Sequence, residues 1–362
     1  MPACIPAGCQ TPAGMKDALQ GKFLIGTAVN DQQVQGQDSL ADALIFGNFN
    51  SITAENCMKS ENIQPQEGKF DFEQADRFVE FGLQHHLYIH GHVLIWHSQA
   101  PKWFFTDENG RDVSREVLIE RMRKHITAVV TRYKGKIKSW DVVNEAIMDD
   151  GSWRTNKFYK IVGEDYVRLA FEFARAADPG AQLIYNDFSM AHPAKRESVV
   201  RLINRLKNEG IKVDAIGMQG HFTMDFPSVG EEEKSIVAFA STGAKVVISE
   251  LDMTAIPAPS GNAGADVASR FEYEKHLNPY PDGLPDSVAV KWNNRMAGFF
   301  RLFIKHSDKI SRVTVWGVTD NQTWRNNWPI PGRKDYPLLF DRNYEAKPVV
   351  NEIIRAAEKQ PE

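Results

Sequence analysis

Two glutamates stand directly behind short apolar, β-branched runs. Trp140-Asp141-Val142-Val143 leads into Asn144-Glu145, and Lys245-Val246-Val247-Ile248-Ser249 leads into Glu250-Leu251-Asp252. A buried strand that finishes on a carboxylate presents that carboxylate at the end of the sheet. Two carboxyls facing one groove are what hydrolysis of a glycosidic bond requires. One protonates the leaving oxygen, and the other attacks the anomeric carbon or activates water. Retention wants them about 5–5.5 Å apart and inversion about 6.5–9.5 Å apart. Sequence spacing leaves that choice open.

The neighbours divide the labour. The amide of Asn144 can bind a sugar hydroxyl beside the reacting carbon. A histidine at 221, held by Asp252, would keep Glu250 ionised and aimed, which is the environment of a nucleophile. Glu145 is then the acid/base, its pKa raised by the negative charge opposite. Trp96, Trp316 and Trp324 offer flat faces for sugar rings, and Glu55, Asn56, Lys59 and Gln99 offer hydroxyl partners. A rival reading starts from His90-Gly91-His92, with His97 close behind. An H-x-H strand end holds a divalent metal in amidohydrolase barrels, but that site wants further histidine or lysine ligands from later strands. His221 is the only later strand-end histidine, beside a carboxylate with other work. No metal and no cofactor is therefore expected.

Eight β-like runs supply these residues: 23–29, 50–54, 87–96, 138–143, 182–187, 214–220, 245–251 and 312–318. Each finishes among polar, titratable or aromatic residues, from Asn30 after the first to Asn186-Asp187 after the fifth and Asp320 after the eighth. Amphipathic helical stretches separate them, among them Ser114–Tyr133, Glu164–Ala177, Pro193–Asn208 and Trp292–Lys305. Strands alternating with helices predict parallel pairing through crossovers. At 362 residues a single (β/α)8 barrel is the natural closed form. An open doubly wound sheet would want a glycine-rich phosphate loop, and GTAVN (26–30) is not one. In a barrel the strand ends gather at one face, where active sites lie.

The organisation predicted is a flexible head over 1–20 and one catalytic barrel over 21–362. A Pro-, Gly-, Ala- and Ser-rich insertion (255–287) follows strand seven. Cys4 and Cys9 in the head form either a small disulfide or two free thiols, while Cys57 reads as a small buried residue. A net charge of −4 and no basic stripe argue against nucleic acid. No apolar run reaches the length of a membrane span. No positively charged opening with an apolar core reads as a signal peptide.

In the order GTAVN (26–30), NSITAENCMK (50–59), HGHVLIWHSQAPKW (90–103), WDVVNEA (140–146), YNDF (185–188), GMQGHF (217–222), VISELDM (247–253) and VWGVTDNQTW (315–324), the sequence resembles the glycoside hydrolase family 10 endo-β-1,4-xylanases over about residues 20–358. The resemblance implies retention, with Glu145 as acid/base and Glu250 as nucleophile. It implies that Asn144, His92, His97, Gln219, His221 and Trp316 line the −1 subsite. Glu55, Asn56, Lys59, Gln99, Trp96 and Trp324 would line −2 and its edge. It implies xylan and xylo-oligosaccharides as substrates, and a monomer that is secreted or at the cell surface. A wall such as Trp324 would fit xylose, which lacks the hydroxymethyl of glucose. His90 departs from the family, which often has Arg there.

Overall fold

The computed structural model describes residues 14–257 and 277–359. Eight parallel strands form the expected (β/α)8 barrel: β1 (Leu24–Val29), β2 (Ser51–Ala54), β3 (Tyr88–Gly91), β4 (Ser139–Asn144), β5 (Gln182–Asp187), β6 (Ala215–Met218), β7 (Lys245–Met253) and β8 (Ile310–Val315). The ring closes because β8 pairs with both β7 and β1. All six residues of β4 are buried, as a parallel strand covered on both faces demands.

The outer helices form where turn chemistry and periodicity place them. Ser114 caps Arg115–Arg132 by accepting from the Val117 amide, and Leu118, Met122, Ile126 and Val129 face the core. Pro193 opens Pro193–Asn208 at the first turn, where a missing N–H costs nothing. The last long helix begins at Asp286 rather than Trp292, and Trp292 is buried within it.

Three expectations need correction. Residues 14–20 are not part of a loose head. Met15 and Leu19 lie one helical turn apart, are fully buried, and tie the turn Met15–Ala18 into the core. The third run is not one strand. β3 stops at Gly91, and Ile95–Trp96 makes a separate contact with Val143 and Asn144 of β4. β7 does not end at Leu251, because the short strand His221–Phe222 pairs with Asp252 and Met253 and lengthens its ladder. Asn30 is a cap, its side chain accepting from the Gln33 amide. Cys4, Cys9 and residues 258–276 of the insertion lie outside the described residues. Cys57 is buried, as its type suggests. Among the described residues no helix is long and apolar enough to cross a membrane.

Gly91 shows how tightly β3 and β4 are joined. A Cβ built there would lie 2.2 Å from Cε3 of the buried Trp140. Relief would have to come from the strand that carries Glu145. Gly91→Ala is expected to destabilise the fold by about 3 kcal/mol, read as a lower midpoint in urea unfolding.

Candidate active site

The strand ends converge on one pocket of about 180 Å³ at the C-terminal face. Its lining includes Glu145 and Glu250 together with Glu55, Asn56, Lys59, His92, Trp96, Gln99, Asn144, Gln219, His221, Trp316 and Trp324. His97 stands beside this wall, its Nε2 3.9 Å from Glu145 Oε2. Asp252 is fully buried behind it. Asp320 goes elsewhere: its carboxyl accepts from the Leu338 amide and sits 2.8 Å from Lys347 Nζ, tying the final loop to the barrel.

Strand register places the polar end residues side by side. Asn144 is level with Asn186 on β5 and with Trp96 on its other side. The Gln219 amide donates to Asp187 O, and the Glu250 amide donates to Gln219 O at 2.8 Å. Glu145 itself has a left-handed φ of 60°. Such a conformation costs of order 1–3 kcal/mol in a non-glycine residue. It is held from both sides, since the Glu145 amide donates to Asn186 O and Arg154 Nε donates to Glu145 O, each at 2.9 Å.

The two carboxyls have different surroundings. Asn186 Nδ2 donates to Glu250 Oε1 at 2.7 Å, and His221 Nε2 lies 3.2 Å from Oε2. Behind His221, Asp252 Oδ1 takes Nδ1 at 2.9 Å and the Arg325 guanidinium at 2.8 Å, and Oδ2 takes the Trp324 indole N–H at 2.8 Å. Burial pulls the His221 pKa down, but Asp252 and then Glu250 outweigh it and lift the ring to about 9. His221 is therefore an imidazolium at neutral pH, donating to both carboxylates.

Glu145 is only 5% exposed. Its Oε1 accepts from Gln219 Nε2 at 3.1 Å and Asn144 Nδ2 at 3.3 Å. Burial first, and then the charge of Asp187, raise its carboxyl to about 7, against partial relief from Trp96, Gln219 and Arg154. The rise is in the expected direction, but the nearby negative charge behind it is Asp187 rather than Glu250. Asp187 in turn is saturated by donors: Tyr185 Oη at 2.6 Å, the Phe188 amide at 2.9 Å and Lys195 Nζ at 2.8 Å.

Lys59 Nζ bonds Asn56 Oδ1 at 2.8 Å and Gln99 Oε1 at 2.7 Å, and lies 5.2 Å from the Trp96 ring. Burial lowers its pKa against the pull of Glu55, Glu250 and Glu145, and burial raises Glu55. Trp316 meets the His92 ring edge-on at 5.2 Å. The H-x-H pair turns both rings toward one carboxylate: His90 Nε2 lies 3.0 Å and His92 Nδ1 2.8 Å from Asp141 Oδ2. Among the described residues His92, Asp141 and Glu250 bring ligand atoms within 4.8 Å of one another, but the first two already engage each other.

Asn186, Ser249 and Arg325 are functional neighbours that the sequence reading did not single out as site residues. Ser249 Oγ donates to Asn186 Oδ1 at 2.6 Å, which leaves the Asn186 NH2 for Glu250 and Asn144. A Cβ at Gly217 would lie 2.4 Å from Asn186 Oδ1, so the glycine makes room for this amide. Asn186 was visible as a strand end. Arg325, just past Trp324, carried no signal of its own.

A parallel (β/α)8 barrel with two unlike carboxyls, amides and tryptophans at its C-terminal face is a glycosidase architecture. Comparison with known proteins agrees. Residues 14–356 match the sequence profile of Glycosyl hydrolase family 10. The chain is 50% identical over 354 residues to endo-1,4-beta-xylanase A of Xylanibacter ruminicola, covering 98% of this chain and 96% of that protein. It is 38% identical to an endo-1,4-beta-xylanase of Geobacillus stearothermophilus, over 96% of this chain and 99% of that one. The structure of a GH10 endoxylanase retrieved from a sugarcane soil metagenome superposes with a TM-score of 0.91 at 46% identity, covering 94% of this chain and 99% of that one. The chain belongs to glycosyl hydrolase family 10.

The raised Glu145 pKa is also a statement about stability. The native carboxyl keeps its proton to about 7, whereas an unfolded glutamate loses it near about pH 4.3. Its contribution is full below the unfolded value and is lost as pH rises through the folded one. Glu145→Gln is expected to raise stability over the parent by about 3–4 kcal/mol at pH 8 and to change it little at pH 4. Thermal unfolding of both proteins at the two pH values checks this.

Proposed function

We propose that this chain is a retaining endo-1,4-β-xylanase acting by double displacement, with Glu145 as acid/base and Glu250 as nucleophile. The observation that carries the assignment is the contrast between the two carboxyls. Glu145 holds its proton to about pH 7, while Glu250 accepts from Asn186 and the His221 imidazolium. In the first half-reaction Glu145 protonates the glycosidic oxygen and Glu250 attacks C1, giving a glycosyl ester and the shortened chain. In the second, Glu145 takes a proton from water, the water oxygen attacks C1, and Glu250 leaves as carboxylate. An acid/base poised near neutral pH serves both directions of proton transfer.

Xylan is the substrate that the named relatives support. Trp96, Trp316 and Trp324 are assigned to ring stacking, and Glu55, Asn56, Lys59, Gln99, His92, His97, Asn144 and Gln219 to hydroxyls. Trp324, fixed by its N–H bond to Asp252, is the wall that would reject a hydroxymethyl group. A polymeric substrate that cannot cross a membrane argues for an enzyme working outside the cell.

A time course on xylohexaose with EDTA present, followed by proton NMR, tests the reading. Short β-anomeric xylo-oligosaccharides should appear first, and α-anomers as the initial product would rule out retention. Glu145→Ala and Glu250→Ala should each lose about 10³-fold or more in kcat on xylan. With azide, the first should yield the β-glycosyl azide and the second the α-glycosyl azide, so reversed products would reverse the roles. The alkaline limb of kcat/KM should have its midpoint near 7, where Glu145 loses its proton.

A further inference from the structure

Beneath the pocket a run of buried polar groups crosses the barrel from β8 to β3, and the carboxyl chemistry above does not use it. Arg312, Ser139, His90, Asp141 and His92 are each at most 2% exposed. Arg312 Nη1 donates to Ser139 Oγ at 3.2 Å. Ser139 Oγ lies 2.7 Å from His90 Nδ1, and His90 Nε2 lies 3.0 Å from Asp141 Oδ2. The same carboxylate oxygen is 2.8 Å from His92 Nδ1.

The two ends of this run dictate its protons. A guanidinium only donates and a carboxylate only accepts. Ser139 therefore accepts from Arg312 and gives its own hydrogen to His90 Nδ1. Neutral His90 then carries its proton on Nε2, facing Asp141. A second proton on His90 would place two cations in one buried layer. Burial and Arg312 indeed hold its pKa down at about 4 against the pull of Asp141. Asp141 Oδ2 thus takes the His92 N–H in a hydrogen bond at 2.8 Å, while His90 Nε2 stands 3.0 Å away, off the line of a hydrogen bond. With Nδ1 so engaged, the remaining ring nitrogen of His92 belongs to the pocket that this residue lines.

We propose that Asp141, packed against His90 on the barrel floor, is a positioning residue that fixes His92 as the Nδ1–H tautomer and makes its Nε2 an acceptor for a sugar hydroxyl. The hydroxyl must then donate to His92, so a sugar carrying an ether or a fluorine at that carbon has nothing to give it. The assignment of His92 to the sugar wall rests on the proposed function, but the tautomer does not.

The tautomer is read directly on 15N-labelled enzyme without substrate, by long-range proton–nitrogen correlation spectra. The His92 resonances are assigned by their loss in His92→Gln. The expected spectrum has His92 Nδ1 protonated and Nε2 bare at neutral pH. An imidazolium or an Nε2–H ring in the parent enzyme overturns the proposal. His90→Leu, which removes the polar ring nitrogen 3.0 Å from Asp141 Oδ2, should mix the His92 tautomers and lower kcat/KM on xylohexaose about 10-fold. His90→Gln can accept from Ser139 and donate to Asp141, and should restore most of both. A His90→Leu enzyme with the parent tautomer and the parent kcat/KM also overturns it. If that variant does not fold, the parent spectrum decides alone. Loss of xylan hydrolysis with the expected spectrum would remove the xylanase reading and leave the tautomer standing.

Discussion

Two carboxyls share one buried pocket, and one has to give up a proton while the other attacks. That constraint organises the top of the barrel. Taking a lone carboxylate out of water costs several kcal/mol unless donors replace the solvent. Glu250 has a neutral amide on one oxygen and an imidazolium on the other. Each of those donors needs its own support, from Ser249 for Asn186 and from Asp252 for His221. Glu145 is buried with only weak amide donors on Oε1 and Asp187 nearby, so its proton stays. The asymmetry is built from neighbours one bond further out, on strands β5 to β7 and the loop after β8.

The barrel serves this arrangement by being polar inside. The main apolar core includes Trp140, Phe171, Phe239 and Phe299, from both strands and helices. A separate apolar cluster holds only Ile184, Ala215 and Val247, on β5, β6 and β7. On β8, β4 and β3 stand Arg312, Ser139, His90 and Asp141, joined by hydrogen bonds from Arg312 to Ser139 and between Ser139 and His90, with His90 Nε2 3.0 Å from Asp141. Hydroxyls, imidazoles and carboxylates hold directed contacts where aliphatic side chains would only fill volume. The site is thus carried on a floor that has preferred orientations of its own.

Much of this was legible in the sequence, and the reasons are local. Apolar runs ending on Asn144-Glu145 and Glu250-Leu251-Asp252 carry their own strand signal, and the eight-fold alternation with capped helices leaves few closures. The elements that escaped depend on distant partners. Met15 and Leu19 belong to the core only because the first turn docks against the barrel. The extension of β7 exists only because His221–Phe222 returns beside it. The role of Asn186 depends on a serine 63 positions away in the chain, and Arg325 acquires meaning only from the carboxylate it meets. The rise in the Glu145 pKa was correct in sign, but its charge came from Asp187, which sequence spacing cannot distinguish from Glu250.

Asp252 receives the His221 ring, the Arg325 guanidinium and the Trp324 indole on one buried carboxylate. The indole proposed as the sugar wall and the imidazolium that meets Glu250 are therefore fastened to the same anchor. On the proposed roles, selectivity and reactivity are not separately adjustable. A change that widens the Trp324 wall by freeing its N–H leaves Asp252 with one donor fewer and alters what His221 feels. Redesign toward bulkier sugars has to replace that donor as well as enlarge the space.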